Sequence, residues 1–518
     1  MLRRLLEAER QRHAAALEQA SLQVQTRDRQ IDRLTAIIKE LQRHRFGRRS
    51  EQLDPEQLAL ALEEVEQTLS AAEAEDEKNN QPAKPDKPAR QRKVNRGALP
   101  LHLPREEVVL DVADKSCACC GGLKLCIGED VSERLDVVPA QFKVIVTRRP
   151  KYACRACQGE VVQAAAPERL IDNGVPTEAT VAHVIVAKYA DHLPLYRQAQ
   201  IYARQGVELD RSTLADWVGR AAFELMPVHT RLLEQLRGSR KLFADETTVP
   251  VLDPGRGRTR KGQLWTYARD ERPYRGNDPP AVVFVYEPDR KHARPGQHLA
   301  GFKGTLQVDG YGAYVELAAA GAVDLAFCWA HVRRKFYDLQ TGDTPAPIAN
   351  EALVRIAGLY AVEADIRGLP ADGRQRVRQS RSKPIVEALQ PWLERQLTLV
   401  SRKSPLAEAI RYALSRWEGL CRFLDDGRVE IDSNVVERAI RPITLGRKNH
   451  LFAGSDGGAR HWAVLASLIA TCKINDVDPN AYLVDVLARI VARHPMSRID
   501  ELLPFAYVKP KQLDRDAA

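Results

Sequence analysis

An aspartate stands in the middle of an apolar stretch of the sequence, KLFADETTVPVL at 241–252. Burying a carboxylate among large apolar side chains is costly unless the carboxylate is paired or binds a metal. The stretch therefore predicts a strand on which Asp245 has a chemical task, and the alternative is that Asp245 caps a turn. Two more apolar stretches, GQLWTYARD and AVVFVYEP, follow the basic loop DPGRGRTRKG and complete an apparent antiparallel meander.

A second acid ends the next predicted strand, GTLQVDGYGAY, where Asp309 is followed by glycines at which the backbone can turn sharply. The Asp-Gly pair is also a common turn signal. Two carboxylates at the edge of a sheet would hold Mg²⁺ ions about 4 Å apart if a third acid joined them. DLAFCWAHVRRKF continues as a strand running into a helix, in which we expect Cys328 and His331 to shape the core rather than bind a metal.

The stretch EIDSNVVERAIRPITLGRKNHLF at 430–452 offers a candidate for the third acid. We expect a helix with Asp432 or Ser433 as its N-cap, ending before Pro442. Glu437 either forms an i,i+4 ion pair with Arg441, worth a few tenths of a kcal/mol, or it joins the two aspartates at the metals. In the second interpretation the cations around Glu437 contact DNA. These cations are Arg438, Arg441, Arg447 and Lys448.

Nine cysteines stand in a chain with no apolar leader and no apolar run long enough to cross a membrane. We therefore expect a cytoplasmic protein whose cysteines bind metal or stay free, rather than form disulfides. Cys117 with Cys120, and Cys154 with Cys157, are two CxxC pairs that can supply four thiolates to one structural zinc. The alternative is that these thiols bind no metal. Two further cysteines in the stretch leave the choice of ligands open.

The N-terminal segment predicts long helices. Apolar residues from Leu17 to Leu41 recur at alternating steps of three and four, broken only at Arg27. This pattern is typical of a coiled coil of about three to four heptads, and an amphipathic helix packed on its own domain is the alternative. Residues 77–100 are rich in Pro, Lys and Arg and predict a flexible basic linker.

A helix, a glycine-containing turn and a second helix are predicted by LPLYRQAQIYARQ, GVELD and RSTLADWVGRAAFELM. Asp210 or Ser212 could cap the second helix. As a DNA-binding helix-turn-helix, this segment would offer Arg211, Ser212 and Thr213 to DNA from the start of its second helix. The motif is weak, because any helical hairpin has the same pattern.

The three acids come in a distinctive order, on the first strand of a meander, after the fourth strand and on a later helix. This order matches the RNase H-like fold of DNA-cutting and strand-joining enzymes. FADETTVPV, QVDGYGAY, CWAHVRRKF and DSNVVERAIRPITLGRKNHLFAGSDGGA resemble the insertion sequence 66 family of bacterial DDE transposases, and the resemblance covers nearly the whole chain. It implies that Asp245, Asp309 and Glu437 are the catalytic residues and hold Mg²⁺ (or Mn²⁺), with a helical insertion at about 340–430.

The expected fold is thus a multidomain α+β protein with an RNase H-like α/β/α catalytic core. Around that core we expect an N-terminal coiled-coil helix, a small zinc-binding β unit, a helix-turn-helix and a helical C-terminus. The expected boundaries are 1–76 for the leucine-zipper-like domain, 77–100 for the linker, 101–170 for the zinc-binding domain, 171–237 for the helix-turn-helix, 238–455 for the core and 456–518 for the C-terminal helices.

The resemblance implies Mg-dependent cleavage at transposon ends and transfer of the cut strands to target DNA. The expected partners are double-stranded DNA, as terminal inverted repeats and target, a second protomer through the coiled coil, and small accessory proteins of the same element. We expect association with the nucleoid when DNA is bound, and no membrane. The net charge of +9 is modest and favours DNA only where charges gather beside a site. A nuclease or resolvase without strand joining, and a DNA-binding regulator with an inactive core, are the alternatives.

Overall fold

The structure is a computed structural model of the 518-residue chain. It describes residues 141–152, 162–171, 174–253, 258–319, 321, 323–340 and 346–508. The chain divides into two compact units, Met1–Ala140 and Gln141–Ala518, and the description concerns the second. The predicted coiled coil, the predicted linker and the four cysteines predicted to bind zinc lie outside the described residues.

Seven strands occur within the described residues. Two short ones form a hairpin-like pair, and five form a mixed sheet. The strands are β1 (Lys151–Tyr152), β2 (Val162–Gln163), β3 (Lys241–Asp253), β4 (Arg258–Arg269), β5 (Ala281–Glu287), β6 (Gly304–Val308) and β7 (Val323–Phe327).

The α-helices of the described residues lie before, between and after these strands along the chain. They are α1 (Glu178–Tyr189), α2 (Leu195–Arg204), α3 (Arg211–Arg237), α4 (Ala293–His298), α5 (Gly312–Ala319), α6 (Trp329–Gln340), α7 (Pro347–Ile366), α8 (Ala371–Val377), α9 (Lys383–Leu399), α10 (Pro405–Leu414), α11 (Trp417–Asp425), α12 (Asn434–His450), α13 (Asp456–Ile474) and α14 (Pro479–Val491).

The five-stranded sheet has the order β5-β4-β3-β6-β7. β3, β4 and β5 form the expected antiparallel meander, and β6 and β7 then run parallel to β3. The predicted basic loop between β3 and β4 is shorter than expected, because the two strands stay paired out to Asp253 and Arg258. Continued backbone pairing in a long hairpin satisfies groups that a loop would leave to water.

The two faces of the sheet pack against different helices. Successive side chains of a strand point to opposite faces. Phe243 and Val249 of β3 share a core with α12 and α13, whereas Leu242 and Ala244 share a larger one with α1, α3, α13 and α14. By this alternation Asp245 belongs to the face that α12 covers.

Within the described part of the chain, side chains rather than another strand cover the outer edge of β5. Ser467 Oγ accepts the N–H of Phe284 at 2.8 Å, and Thr471 Oγ1 accepts that of Val282 at 3.1 Å. His229 donates from Nε2 to the Phe284 carbonyl at 2.9 Å. An open strand edge invites pairing with another chain, so α3 and α13 protect this edge.

The helix, turn and second helix expected before the sheet are α2, a turn with Gly206 at a φ of 78°, and α3. Asp210 is the N-cap of α3, and its carboxylate accepts the N–H of Ser212 at 2.7 Å. Leu214 and Trp217 lie in the core of the unit. Because α3 continues for 27 residues, its later turns pack beneath the sheet.

Helices α7–α11 fill the segment expected to be a helical insertion and build a core of their own. That core also takes in Trp329 and Phe336 of α6, together with Val429 and Ile431 from the segment that returns to the sheet. The insertion is therefore packed against the same sheet through α6 and this returning segment.

The helix that carries Glu437 differs from the prediction. The expectation that it ends before Pro442 is wrong, because α12 continues to His450 with Pro442 inside it. An internal proline costs about 3 kcal/mol. The burial of Val436, Ile440 and Ile443 against the sheet contributes about 1.5–3 kcal/mol for each side chain, which outweighs that cost.

The described part of the chain ends in α13, α14 and two short 3₁₀ segments, Met496–Leu502 and Pro504–Ala506. α13 lies along β5, and α14 packs on α1. Among the helices described, none is both long enough and apolar enough to cross a membrane.

Candidate active site

Asp245 lies on β3, opposite Thr266 of β4. Burial raises the pKa of its carboxyl group to about 7. The N–H of Glu246, which donates to Asp245 Oδ1 at 2.7 Å, opposes that rise in pKa, and the negative charges of Asp309 and Glu437 add to it. Asp309 and Glu437 therefore both lie within electrostatic reach of Asp245.

Asp309 follows β6 in a turn held from two sides. Its Oδ1 accepts the N–H of Tyr311 at 2.9 Å, and Gly310 adopts a φ of 99° that favours glycine. Side chains at the end of α10 and beyond it hold the backbone, since Tyr412 donates to the Asp309 carbonyl at 2.9 Å and Arg416 to that of Gly310 at 3.4 Å. The helical insertion thus braces the turn that presents Asp309.

Glu437 lies in the first turn of α12, with its side chain 36% exposed. Ser433 Oγ donates to Glu437 Oε1 at 3.5 Å, and His331 Nε2 lies 3.9 Å from the same oxygen. The buried Val436 and Ile440 hold α12 on the face of the sheet to which Asp245 belongs.

These carboxylates are a donor set that fits a hard divalent cation. Carboxylate oxygens are the ligands that Mg²⁺ and Mn²⁺ prefer. Burial is the main cause of the raised pKa of Asp245, and the like charges of Asp309 and Glu437 raise it further. A bound cation would offset that repulsion, so Asp245, Asp309 and Glu437 are the residues that could hold it.

A second group of possible ligands adjoins Glu437. Ligand atoms of Cys328, His331 and Glu437 lie within 4.8 Å of one another. Burial raises the pKa of the Cys328 thiol to about 11, whereas the thiolate is the form that binds metals. The expectation that Cys328 and His331 shape the core stays a prediction.

One acid beside the site was missed in the sequence. Glu246 is only 3% exposed and lies on the sheet face opposite that of Asp245. Arg290 Nε donates to it at 3.0 Å and the Tyr314 hydroxyl at 3.2 Å, while the Arg290 guanidinium lies 3.8 Å from the ring centre of Tyr311. This network supports the Asp309 turn from behind, and the cost of burying a charge was the signal that could have found it.

Gln307 was also missed. It is completely buried on β6, two residues before Asp309, and pairs with Phe243 of β3, so it lies on the sheet face to which Asp245 belongs. A polar side chain inside a short apolar strand must be hydrogen-bonded. The reasoning that singled out Asp245 applies equally to Gln307.

The residues predicted to contact DNA fall into two groups on different helices. At the start of α3, Arg211 and Ser212 are exposed and Thr213 is half-buried, and the Ser212 hydroxyl also donates to Asp210. The other group lies entirely on α12. With the helix expected to end before Pro442, Arg447 and Lys448 were expected to lie beyond it, and this expectation is wrong. Arg438 and Lys448 are exposed, Arg441 and Arg447 are half-buried, and Arg447 donates to the Thr248 carbonyl.

Four family comparisons match successive parts of the chain. Residues 173–461, which contain all three acids, match the family described as Transposase IS66 family. Residues 114–158 match the zinc-finger binding domain of transposase IS66, and 467–505 match the IS66 C-terminal element. Residues 33–108 match a family described as Transposase C of IS166 homeodomain. The site therefore lies in the part of the chain that defines a family of transposases.

Full-length relatives agree with these matches. The chain is 49% identical to the uncharacterized protein y4qI of Sinorhizobium fredii over 507 residues, which is 95% of this chain and 93% of the relative. It is 43% identical to the uncharacterized protein y4jD of the same organism over 498 residues, 94% of this chain and 97% of the relative. The chain belongs to the IS66 family of transposases, which confirms the resemblance drawn from the sequence.

Proposed function

We propose that this protein is a DDE transposase with an RNase H-like core, in which Asp245, Asp309 and Glu437 are the catalytic residues. The observation that supports the proposal is that Asp309, from the end of β6, and Glu437, from α12, both raise the pKa of Asp245 on β3 of one mixed sheet. An antiparallel meander followed by two parallel strands, with acids at these places, supports an RNase H-like core.

The proposed chemistry is phosphoryl transfer at DNA ends. When bound, Mg²⁺ (or Mn²⁺) ions supply the positive charge that activates the attacking oxygen and stabilises the leaving oxygen. The chain supplies geometry: β3 and β6 are neighbouring parallel strands that hold Asp245 and Asp309 in a fixed relation. α12 adds Glu437 after the helical insertion has returned to the sheet. Cleavage at the transposon ends and joining of the 3′ ends to target DNA would use this one site.

The remaining parts of the chain would bind DNA and pair protomers. We propose that Cys117, Cys120, Cys154 and Cys157 hold a structural Zn²⁺ in the zinc-finger segment. The cations of α12 and the start of α3 would contact the DNA backbone, a salt-sensitive interaction. The N-terminal coiled coil would pair protomers on two transposon ends, with small accessory proteins of the element as further partners. The protein would act in the cytoplasm, on the nucleoid.

The test of the proposal is a strand-transfer assay with the full chain and matched acid variants. Asp245→Asn and Glu437→Gln remove a charge at almost constant shape. We expect each to lower cleavage and joining of DNA that carries the element's inverted repeats by more than about a hundredfold, because the loss of a metal ligand exceeds the effect of losing its supporting partners. The assay is run with Mg²⁺ and with Mn²⁺.

Asp324→Asn is the matched control, since Asp324 lies on β7 of the same sheet but is exposed and paired with Arg422 at 3.1 Å. It should keep wild-type activity. Cleavage without joining in the wild type would favour a nuclease or resolvase. Binding of DNA without cleavage would favour a DNA-binding regulator with an inactive core. Cleavage that survives both acid substitutions would overturn the assignment of the catalytic residues.

A further inference from the structure

A short segment, Glu430–Ser433, leads from the helical insertion into the helix that carries Glu437, and we call it the strap. The side chain of Ile431 is buried in the core of the insertion, and Glu430 pairs there with Arg374, Oε1 to Nη1 at 2.7 Å. The N–H of Glu437 donates to the Ser433 carbonyl at 3.4 Å, so α12 begins directly on the strap. The position of the strap therefore decides where the first turn of α12 lies.

Gln307 binds the backbone of the strap with its whole amide group. Its Nε2 donates to the carbonyl of Glu430 at 2.7 Å and to that of Asp432 at 3.1 Å. Its Oε1 accepts the N–H of Glu430 at 3.3 Å. The side chain thus pairs with both polar groups of Glu430, as a neighbouring strand would.

The start of α6 holds the other side of the strap. The N–H of Trp329 donates to the Ile431 carbonyl at 3.0 Å, and Cys328 Sγ accepts the N–H of Ser433 at 3.3 Å. Ser433 in turn donates to the Glu437 carboxylate. A continuous set of hydrogen bonds therefore runs from β6 and α6 through the strap to Glu437.

We propose that Gln307 is a positioning residue that sets the Glu437 carboxylate relative to Asp309. Gln307 lies near the end of β6, two residues before Asp309, which begins the turn after that strand. By binding the strap, Gln307 links the strand that leads to Asp309 with the helix that carries Glu437. These two acids are far apart in the sequence. This inference rests on the proposed function, in which the two acids share bound cations.

The test replaces Gln307 by methionine, which keeps an unbranched side chain of similar length and removes the amide. The glutamine at 198 offers a matched control. Gln198 is equally buried, donates to the carbonyls of Val184 at 3.2 Å and Leu193 at 3.0 Å, and accepts the Tyr202 hydroxyl at 3.0 Å. Each glutamine therefore loses two donated bonds and one accepted bond in its methionine variant.

We expect Gln307→Met and Gln198→Met to lower the thermal midpoint of the full chain alike. Only Gln307→Met should weaken Mn²⁺ binding, measured by titration without DNA, by about tenfold or more, as is typical when a supporting partner of a metal ligand is lost. The Mg²⁺ concentration for half-maximal cleavage should rise in the same variant. If Gln307→Met does not fold, Gln307→Asn, whose shorter side chain withdraws the amide from the strap, is measured in its place.

Equal Mn²⁺ affinity in the Gln307 and Gln198 variants would overturn the inference. Glu437→Gln separates this failure from that of the proposed function. If Glu437→Gln weakens Mn²⁺ binding and the Gln307 variant does not, only the positioning role falls. If Glu437→Gln binds Mn²⁺ and cleaves DNA like the wild type, the proposed function itself is wrong.

Discussion

Four charged side chains form a cluster of ion pairs in the helical insertion, and the stability of this region depends on each of them. Arg374 and Arg378 are buried, and they share Glu363, whose Oε2 lies 3.1 Å from the first guanidinium and 2.7 Å from the second. Arg374 also holds Glu430 of the strap. Removing one partner of a buried pair leaves an uncompensated charge, which is why such a cluster is sensitive to substitution.

The acid stability of the protein should depend on Glu430. Burial acts to raise the pKa of its carboxyl group, but Lys241, Arg374 and Arg378 outweigh it and the pKa is lowered below 4.5. A lowered pKa in the folded state contributes stability above the unfolded pKa, and that stability is lost as the pH falls through the folded pKa. Glu430→Gln should therefore cost up to about 3 kcal/mol near neutral pH.

The measurement is urea denaturation of wild type and Glu430→Gln across a range of pH. The gap between their free energies of unfolding should narrow below pH 4.5. Asp372→Asn, at an exposed i,i+4 pair with Arg376, should show a small gap throughout. A gap for Glu430→Gln that is constant with pH would contradict the prediction.

At the scale of elements, the edge of β5 depends on two side chains of α13. Thr471 Oγ1 accepts the N–H of Val282 and donates to its carbonyl at 3.0 Å, and both residues are buried. Thr471→Val keeps the shape and removes the hydroxyl. We expect it to lower the free energy of unfolding by about 1–3 kcal/mol, because a buried N–H loses its partner.

Denaturation of the full chain in urea tests this expectation, with Thr471→Ser as the conservative control. Serine retains the hydroxyl and loses only a methyl group, so it should keep most of the stability. If valine and serine at this position destabilise equally, the hydroxyl does not hold the strand edge. Light scattering during refolding would show whether the valine variant also self-associates.

Elements also show where sequence patterns mislead. Pro442 correctly indicates a local preference against helix. The helix α12 continues nevertheless, because Val436 and Ile440 before the proline and Ile443 after it are buried against the sheet. The basic stretch between β3 and β4 reads as a loop, yet much of it pairs as strand. In both places contacts with residues distant in the sequence outweigh the local signal.

At the scale of the whole molecule, the family comparisons join a zinc-finger segment to the catalytic region in one chain. Cys328, Cys421 and Cys472 are the cysteines of the described ranges, and all three are free thiols. The zinc-finger match predicts that a structural zinc depends on the cysteines of that segment. The chain with both Cys117→Ser and Cys154→Ser should lose about one equivalent of zinc per protomer, since a Cys₄ site uses both pairs.

Elemental analysis of purified protein measures this loss directly. Cys421→Ser, a half-buried thiol in α11, is the control and should keep the wild-type zinc content. Unchanged zinc in the double variant would show that those cysteines are not the ligands. Far-UV circular dichroism of the double variant tests whether the rest of the chain keeps its helices and strands.

The sequence alone determined the family, the succession of the five strands along the chain, and the three acids as candidates. These depend on local patterns, such as an acid within an apolar strand or a glycine after it, which need no knowledge of distant contacts. Only the tertiary structure decided that the insertion braces the Asp309 turn, that α12 passes Pro442, and that Gln307 holds the strap before Glu437. Each of these depends on hydrogen bonds or burial between residues far apart in the chain, which periodicity and spacing do not encode.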